Sequence, residues 1–123
     1  MFKTHIILLL GLFLVVSCKQ YEEDHLSGSW RGSVILEAGQ PLEIDPSNII
    51  LILNPDGSYQ YESTLNYKEA GTFYLDQPYL YTMDTINQAS TEKAVEVILL
   101  TPDSLHLRMN EAGKERLLKM TRE

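Results

Sequence analysis

The chain has 123 residues, 44% of them hydrophobic, with one Cys, three His and 17 acidic against 10 basic side chains, for a formal net charge of −7. That length supports one small packed domain, and a lone Cys excludes an internal disulfide or a thiolate zinc cluster. The acidic balance excludes nucleic-acid binding through an overall basic surface, which needs clustered Lys and Arg.

The first segment is unlike the rest. Lys3 and His5 lead into an eleven-residue apolar run, Ile6 to Val16, broken only by Gly11. A bilayer span takes about 20 residues, so the run matches the core of a signal peptide instead. It ends in Val15-Val16-Ser17-Cys18. A hydrophobic residue three before the Cys and a small residue directly before it resemble the processing site of bacterial lipoproteins. The resemblance implies cleavage before Cys18 and acylation of Cys18, with residues 1–17 as leader and 18–25 as tether. Two or more acyl chains give stable anchoring. Loss of Lys3 takes the formal charge one unit further negative. Lys19 after the Cys, with no Asp there, resembles lipoproteins passed to the outer membrane. Glu22-Glu23-Asp24 resemble the surface-export cluster of Bacteroidota lipoproteins, or form a solvated charged tether. The expected location is the outer membrane, periplasm-facing or cell-surface exposed.

From Leu26 onward the chain reads as strand after strand, with no sustained helical periodicity. The expected strands are 29–37, 49–54, 58–66, 71–75, 79–84, 93–100, 104–110 and 115–122. Tyr59, Tyr61 and Ser63 alternate with Gln60, Glu62 and Thr64, and Leu105, Leu107 and Met109 alternate with His106, Arg108 and Asn110. Each is a period-2 pattern with one face meant for a core. Asn54-Pro55-Asp56-Gly57, Asp76-Gln77-Pro78 and Thr101-Pro102-Asp103 are tight turns. Connections at 38–48, 85–92 and 111–114 are looser. Successive connections of a meander alternate between its ends, which predicts a closed base of tight turns and an open mouth of loops.

The fold class is therefore all-β: an eight-stranded up-and-down antiparallel meander over 26–123. Leu26-Ser27-Gly28-Ser29-Trp30, Asn54-Pro55-Asp56-Gly57-Ser58-Tyr59, Gly71-Thr72-Phe73 and Leu105-His106-Leu107 resemble the small lipocalin-like domains of bacterial lipoproteins. The resemblance implies a small barrel with Trp30 plugging the base and an Arg of the last strand lying across its ring. Arg122 has the parity and position for that role; Arg116 shares the parity but sits toward the mouth. With the tether entering at the base, the mouth points away from the membrane. Leu36, Ile49, Leu65, Tyr67, Phe73, Met83, Val95, Met109 and Arg116 are the expected mouth residues.

Six of the seven Tyr fall between residues 59 and 81. Tyr59, Tyr61, Tyr67, Tyr79 and Tyr81, with Phe73, either present phenolic tips to an amphipathic ligand or simply fill the barrel. Short strands with a bulky inward set argue for a shallow mouth pocket over a deep cavity. Catalytic signals are poor. His25 and His106 lack an Asp, Ser or Cys at informative spacing, and Glu43 and Asp45 sit in a loop where solvated carboxylates belong. No metal-ligand spacing or phosphate-cradling loop is present, and no cofactor is expected. Asp84-Thr85-Ile86 and Asp103-Ser104-Leu105 resemble the O-glycosylation acceptor of exported Bacteroidota proteins, at Thr85 and Ser104; an ordinary Asx turn is the other reading. Two functions remain: capture of a small apolar or amphipathic ligand at the mouth, or recognition of a protein partner (an envelope assembly partner or a hydrolase) by the loops.

Overall fold

Strands form wherever apolar and polar side chains alternate, and turn residues end them. The computed structural model describes residues 23–87 and 91–123; Cys18, the leader and the first tether residues lie outside that range. The strands are β1 Gly28–Glu37, β2 Gln40–Pro41, β3 Ile50–Leu53, β4 Ser58–Glu62, β5 Lys68–Asp76, β6 Tyr79–Asp84, β7 Glu92–Leu100, β8 Ser104–Glu111 and β9 Lys114–Arg122. All neighbouring pairs are antiparallel in the order β2-β1-β3-β4-β5-β6-β7-β8-β9, and β1 also pairs with β9. Eight long strands thus close a barrel, which removes open edges, while the two-residue β2 lies on the upper half of β1 as a flap.

The base has the expected tight turns. Asn54 accepts from the Gly57 amide at 3.0 Å, and the Asp56 carboxylate accepts from the Ser58 amide and hydroxyl at 2.9 and 2.7 Å. At Thr101-Pro102-Asp103 the Thr101 hydroxyl, rather than Asp103, accepts from the Asp103 and Ser104 amides at 3.3 and 3.0 Å. The opposite end differs from expectation in two places. Residues 111–114 form no loose loop: Glu111 pairs with Lys114 across a two-residue turn, Ala112 (φ 53°) and Gly113 (φ 84°). Left-handed residues at both central positions match the twist of the strands they join. Residues 38–48 open with the same kind of turn at Ala38 and Gly39, φ 51° and 81°. The segment then packs Leu42 on the core and returns beside β1, where the Gly32 amide donates to the Ile49 carbonyl at 2.9 Å. There the Pro46 carbonyl approaches Gly32 so closely that a Cβ would lie 2.4 Å from it.

Inside the barrel, Trp30, Leu53, Tyr59, Leu80, Leu105 and Met120 are fully buried. They belong to a larger cluster with Leu26, Ile49, Leu51, Val97, Leu100, Leu107 and Leu118. Each such aliphatic contributes roughly 1.5–3 kcal/mol by leaving water. Two β-bulges reset the alternation, between Gly32 and Val34 in β1 and between Val97 and Leu99 in β7. An extra residue shifts inside to outside. Trp30 and Gly32 face in below the first bulge; above it Ile35, opposite Leu118, is buried and Glu37 stands opposite Arg116.

Candidate functional site

The base is sealed as one unit. The Trp30 indole N–H donates to the Leu26 carbonyl at 2.9 Å. The Arg122 guanidinium lies over the Trp30 ring at 4.2 Å from its centroid. Nε of Arg122 donates to the Pro102 carbonyl at 2.6 Å and Nη1 to that of Ser27 at 2.8 Å, while Nη2 reaches the His25 carbonyl. The fork therefore ties three chain segments across the closed end, beside the face of a fully buried ring.

Above this plug the interior is not filled. A cavity of ≈ 570 Å³ opens at the other end of the barrel, inside the range of about 300–1,000 Å³ common to small-molecule sites. The interior is thus roomier than the strand lengths predict, because the inward position 82 on β6 that lines it is a Thr rather than a bulky residue; the inward position 71 on β5 is a Gly. Gly71 is required there: a Cβ would meet the Met83 carbonyl oxygen at 1.9 Å. Leu51, Leu80, Val95, Leu107, Met109 and Leu118 form the apolar walls, and Tyr59, Tyr61, Tyr67, Glu69, Lys93 and Arg116 supply aromatic and charged groups.

The polar groups converge on one carboxylate. Glu69 on β5 is only 6% exposed. Its Oε1 accepts from the Tyr59 hydroxyl at 2.9 Å, and its Oε2 accepts from the Tyr67 hydroxyl and the Lys93 ammonium, both at 2.5 Å. Burial pushes the Glu69 carboxyl up, but the bonds from Lys93, Tyr67 and Tyr59 outweigh it and hold the group below the usual value of 4.5. Both phenols are raised, Tyr59 chiefly by burial and then by Glu69, Tyr67 chiefly by its bond to Glu69. Tyr61 meets Tyr67 edge to face, with centroids 6.3 Å apart. At the rim, Nε of Arg116 donates to Glu37 at 2.8 Å, and Lys114 lies 3.7 Å from the other Glu37 oxygen.

A second buried carboxylate stitches the mouth. Asp84 accepts from the amides of Ala70 and Ile86 at 3.3 and 3.1 Å and from the Asn87 side chain at 2.6 Å. Asn87 also donates at 2.8 Å to the carbonyl of Lys68, the first residue of β5, drawing together the ends of the β4–β5 and β6–β7 connections. Within the first of these, Leu65 adopts φ 61° and is 97% exposed at the tip.

Tyr59, Tyr61 and Tyr67 are brought together in the cavity, and so are Val95, Met109 and Arg116. Tyr79 and Tyr81 are not: they lie on the outer wall. Leu80 between them is buried, so strand alternation turns both tyrosines out. Tyr81 stacks there on Tyr74 at 4.9 Å and lies 6.2 Å from Tyr79. Phe73 packs inside but near the base, its amide bonded to the Gly57 carbonyl at 2.8 Å. It sits low because β5 begins at Lys68, three residues earlier than expected. Ile49 is core beside Gly32 rather than mouth, the β1 bulge turns Leu36 outward, and Met83 pairs with Thr72 and Glu92 on the outer face. Thr85 is exposed, its hydroxyl donating to the Ala70 carbonyl at 3.1 Å, whereas Ser104 is half-buried as the first residue of β8. Asp45 accepts from the Ser47 amide and hydroxyl at 3.0 and 2.7 Å, as a turn cap does. His106 lies on the outer wall between Leu99 and Lys119. Among the described residues no group of three His, Cys, Asp or Glu is placed to hold a metal ion.

Glu69, Lys93, Glu37 and Asp84 are the site residues that sequence reasoning missed. One signal was available: continuing the parity of Phe73 and Leu75 back through Gly71 puts Glu69 inside.

No protein-family model and no curated protein matches the chain. Its fold is similar to that of two solved structures. One is a lipocalin-like protein from Bacteroides uniformis, with TM-score 0.58 and 15% identity, covering 77% of this chain and 97% of that one. The other is an uncharacterized protein from Bacteroides eggerthii, with TM-score 0.56 and 15% identity, covering 79% and 98%. At that identity the likeness is one of fold, and the fold is a lipocalin-like barrel.

Proposed function

We propose that the protein is a binding protein that takes one small apolar or amphipathic molecule into the open half of its barrel. The observation that carries this reading is the ≈ 570 Å³ cavity with aliphatic walls and a few polar groups, most of them gathered on Glu69. Apolar surface buried against those walls supplies affinity at roughly 25 cal/mol per Å², and the few polar groups fix orientation. Acylation at Cys18 would hold the molecule at the outer membrane. The tether enters β1 at the plugged end, so the cavity would open away from the bilayer, facing the periplasm or the cell exterior. A protein partner remains a second reading, favoured by one observation, the fully exposed Leu65 at the rim.

Incubation of the protein with a total lipid extract, followed by native mass spectrometry, tests the first reading. A retained species of small-molecule mass is expected, and Met109→Trp, which places an indole in the cavity, should abolish it while the unfolding midpoint stays nearly unchanged. Equal retention by the variant would place the ligand elsewhere and refute the reading.

A further inference from the structure

The reading of the cavity as a ligand site has a consequence for ligand class, and it comes from how the charges are paired. Three charged side chains line the cavity: Glu69, Lys93 and Arg116. Lys93 is bonded to Glu69 at 2.5 Å and Arg116 to Glu37 at 2.8 Å. Each charged side chain that lines the cavity is therefore met by an opposite charge within the protein. Resting on that reading, we infer that the ligand carries an uncharged head group, such as an alcohol, ester, ketone or amide on an apolar body, in preference to a carboxylate or an ammonium.

The geometry disfavours each ion for its own reason. Side-chain exposure is 53% for Lys93 and 7% for Glu69, so Lys93 offers its remaining N–H groups to the mouth while Glu69 stays beneath. A carboxylate bonded to those N–H groups would stand within about 4–5 Å of the Glu69 carboxylate, since both would share one nitrogen. Pulling Lys93 away would strand a buried anion without its cation, a strongly unfavourable exchange. An ammonium fares no better. Glu69 is 6% exposed and already accepts three bonds, Oε1 from Tyr59 and Oε2 from Tyr67 and Lys93. An incoming cation would meet the Lys93 charge before it met the carboxylate. An uncharged oxygen avoids both conflicts: it accepts from Lys93 or, as a hydroxyl, donates to the Tyr67 phenol oxygen. Ser63 and Asn110, also in the lining, add neutral partners.

Three ligands with the same ten-carbon tail separate the possibilities: decanol, decanoate and decylamine, titrated calorimetrically into the full chain at neutral pH. Decanol is expected to bind at least about tenfold more tightly than either ion, a factor worth about 1.4 kcal/mol. Glu69→Gln leaves Lys93 uncompensated and should move the decanoate-to-decanol affinity ratio by about tenfold toward decanoate; Lys93→Met leaves Glu69 uncompensated and should move the decylamine-to-decanol ratio toward decylamine. Lys93 is half-exposed, so its variant keeps the test open even if Glu69→Gln destabilises the fold. Decanoate or decylamine binding as tightly as decanol to the unaltered protein overturns the inference and leaves the ligand site standing. Ratios unmoved in both variants overturn it too. Failure of all three to bind refutes the cavity as a ligand site, and the inference falls with it.

Discussion

Replacing Arg122 by Ala should destabilise the barrel by about 2–4 kcal/mol. The guanidinium makes three bonds to backbone carbonyls, at 2.6 Å to Pro102, at 2.8 Å to Ser27 and to His25. The last two are part-buried, and about 1 kcal/mol each is a restrained value for a charged donor. The more exposed Pro102 bond adds little. The stack on Trp30 contributes about 0.5–2 kcal/mol, depending on how far the pair is dried. For a domain of this size the loss corresponds to a fall in Tm of roughly 10–25 °C. Urea unfolding followed by Trp30 fluorescence reads the plug directly. Arg122→Lys keeps the charge but not the planar fork, and should recover less than about half of the loss. Gly28 supplies an internal control, because a Cβ there would lie 2.1 Å from Nη1 of Arg122. Gly28→Ala should therefore cost more in the native background than in Arg122→Ala, beyond the strain set by φ +139° at that position. A change under about 0.5 kcal/mol for Arg122→Ala, or strict additivity with Gly28→Ala, would refute the account of the base as one coupled unit.

The remaining predictions concern acid and the anchor. Glu69, Asp84 and Glu37 are all held below their ordinary values, 4.5 for Glu and 3.8 for Asp, by bonds from Lys93, Asn87 and Arg116 respectively. The unfolded chain therefore binds protons at higher pH than the folded one. Their contribution is complete above the ordinary carboxylate range and disappears as pH falls through the lowered folded values. The urea midpoint should be flat from pH 7 to about 5 and drop steeply below about 4.5, less steeply in Glu69→Gln; an unchanged midpoint at pH 3 contradicts the assignment. Cys18→Ser should move the protein from the membrane to the soluble fraction and abolish labelling by radioactive palmitate, and retention at the membrane with no label would rule out acylation at Cys18.

Much of the barrel was legible because period-2 alternation and Pro-Asp turns are local signals. The pairing of Trp30 with an Arg of the last strand came from the lipocalin-like resemblance, and parity along the unbulged end of β9 singled out Arg122. The bulges were not legible: nothing in Gly32-Ser33-Val34 or Val97-Ile98-Leu99 announces an extra residue, and one such residue exchanges Leu36 for Glu37 on the inner wall. The tyrosines of β6 misled for a different reason. Hydrophobicity alone assigns Tyr79, Tyr81 and Met83 inward, yet the fold turns Leu80, Thr82 and Asp84 inward, because Asp84 finds amide and Asn87 donors at the mouth. Glu69 was hidden in the same way, since a carboxylate reads as surface until its three donors arrive from β4, the β4–β5 connection and β7.

Closure between β1 and β9 also governs how the molecule comes into being. The first strand of the barrel cannot complete its pairing until the last is available, so the decisive contacts are among the most distant in sequence. Such topologies fold in milliseconds to seconds, not microseconds, because loop entropy must be surrendered before those contacts form. Until β9 docks, the partly built sheet has two unpaired edges and an uncovered apolar face, the state most exposed to aggregation. Leu118 and Arg116 of β9 line the cavity, so the cavity is incomplete until β9 has docked. A bound ligand should therefore slow unfolding while leaving the folding rate almost untouched.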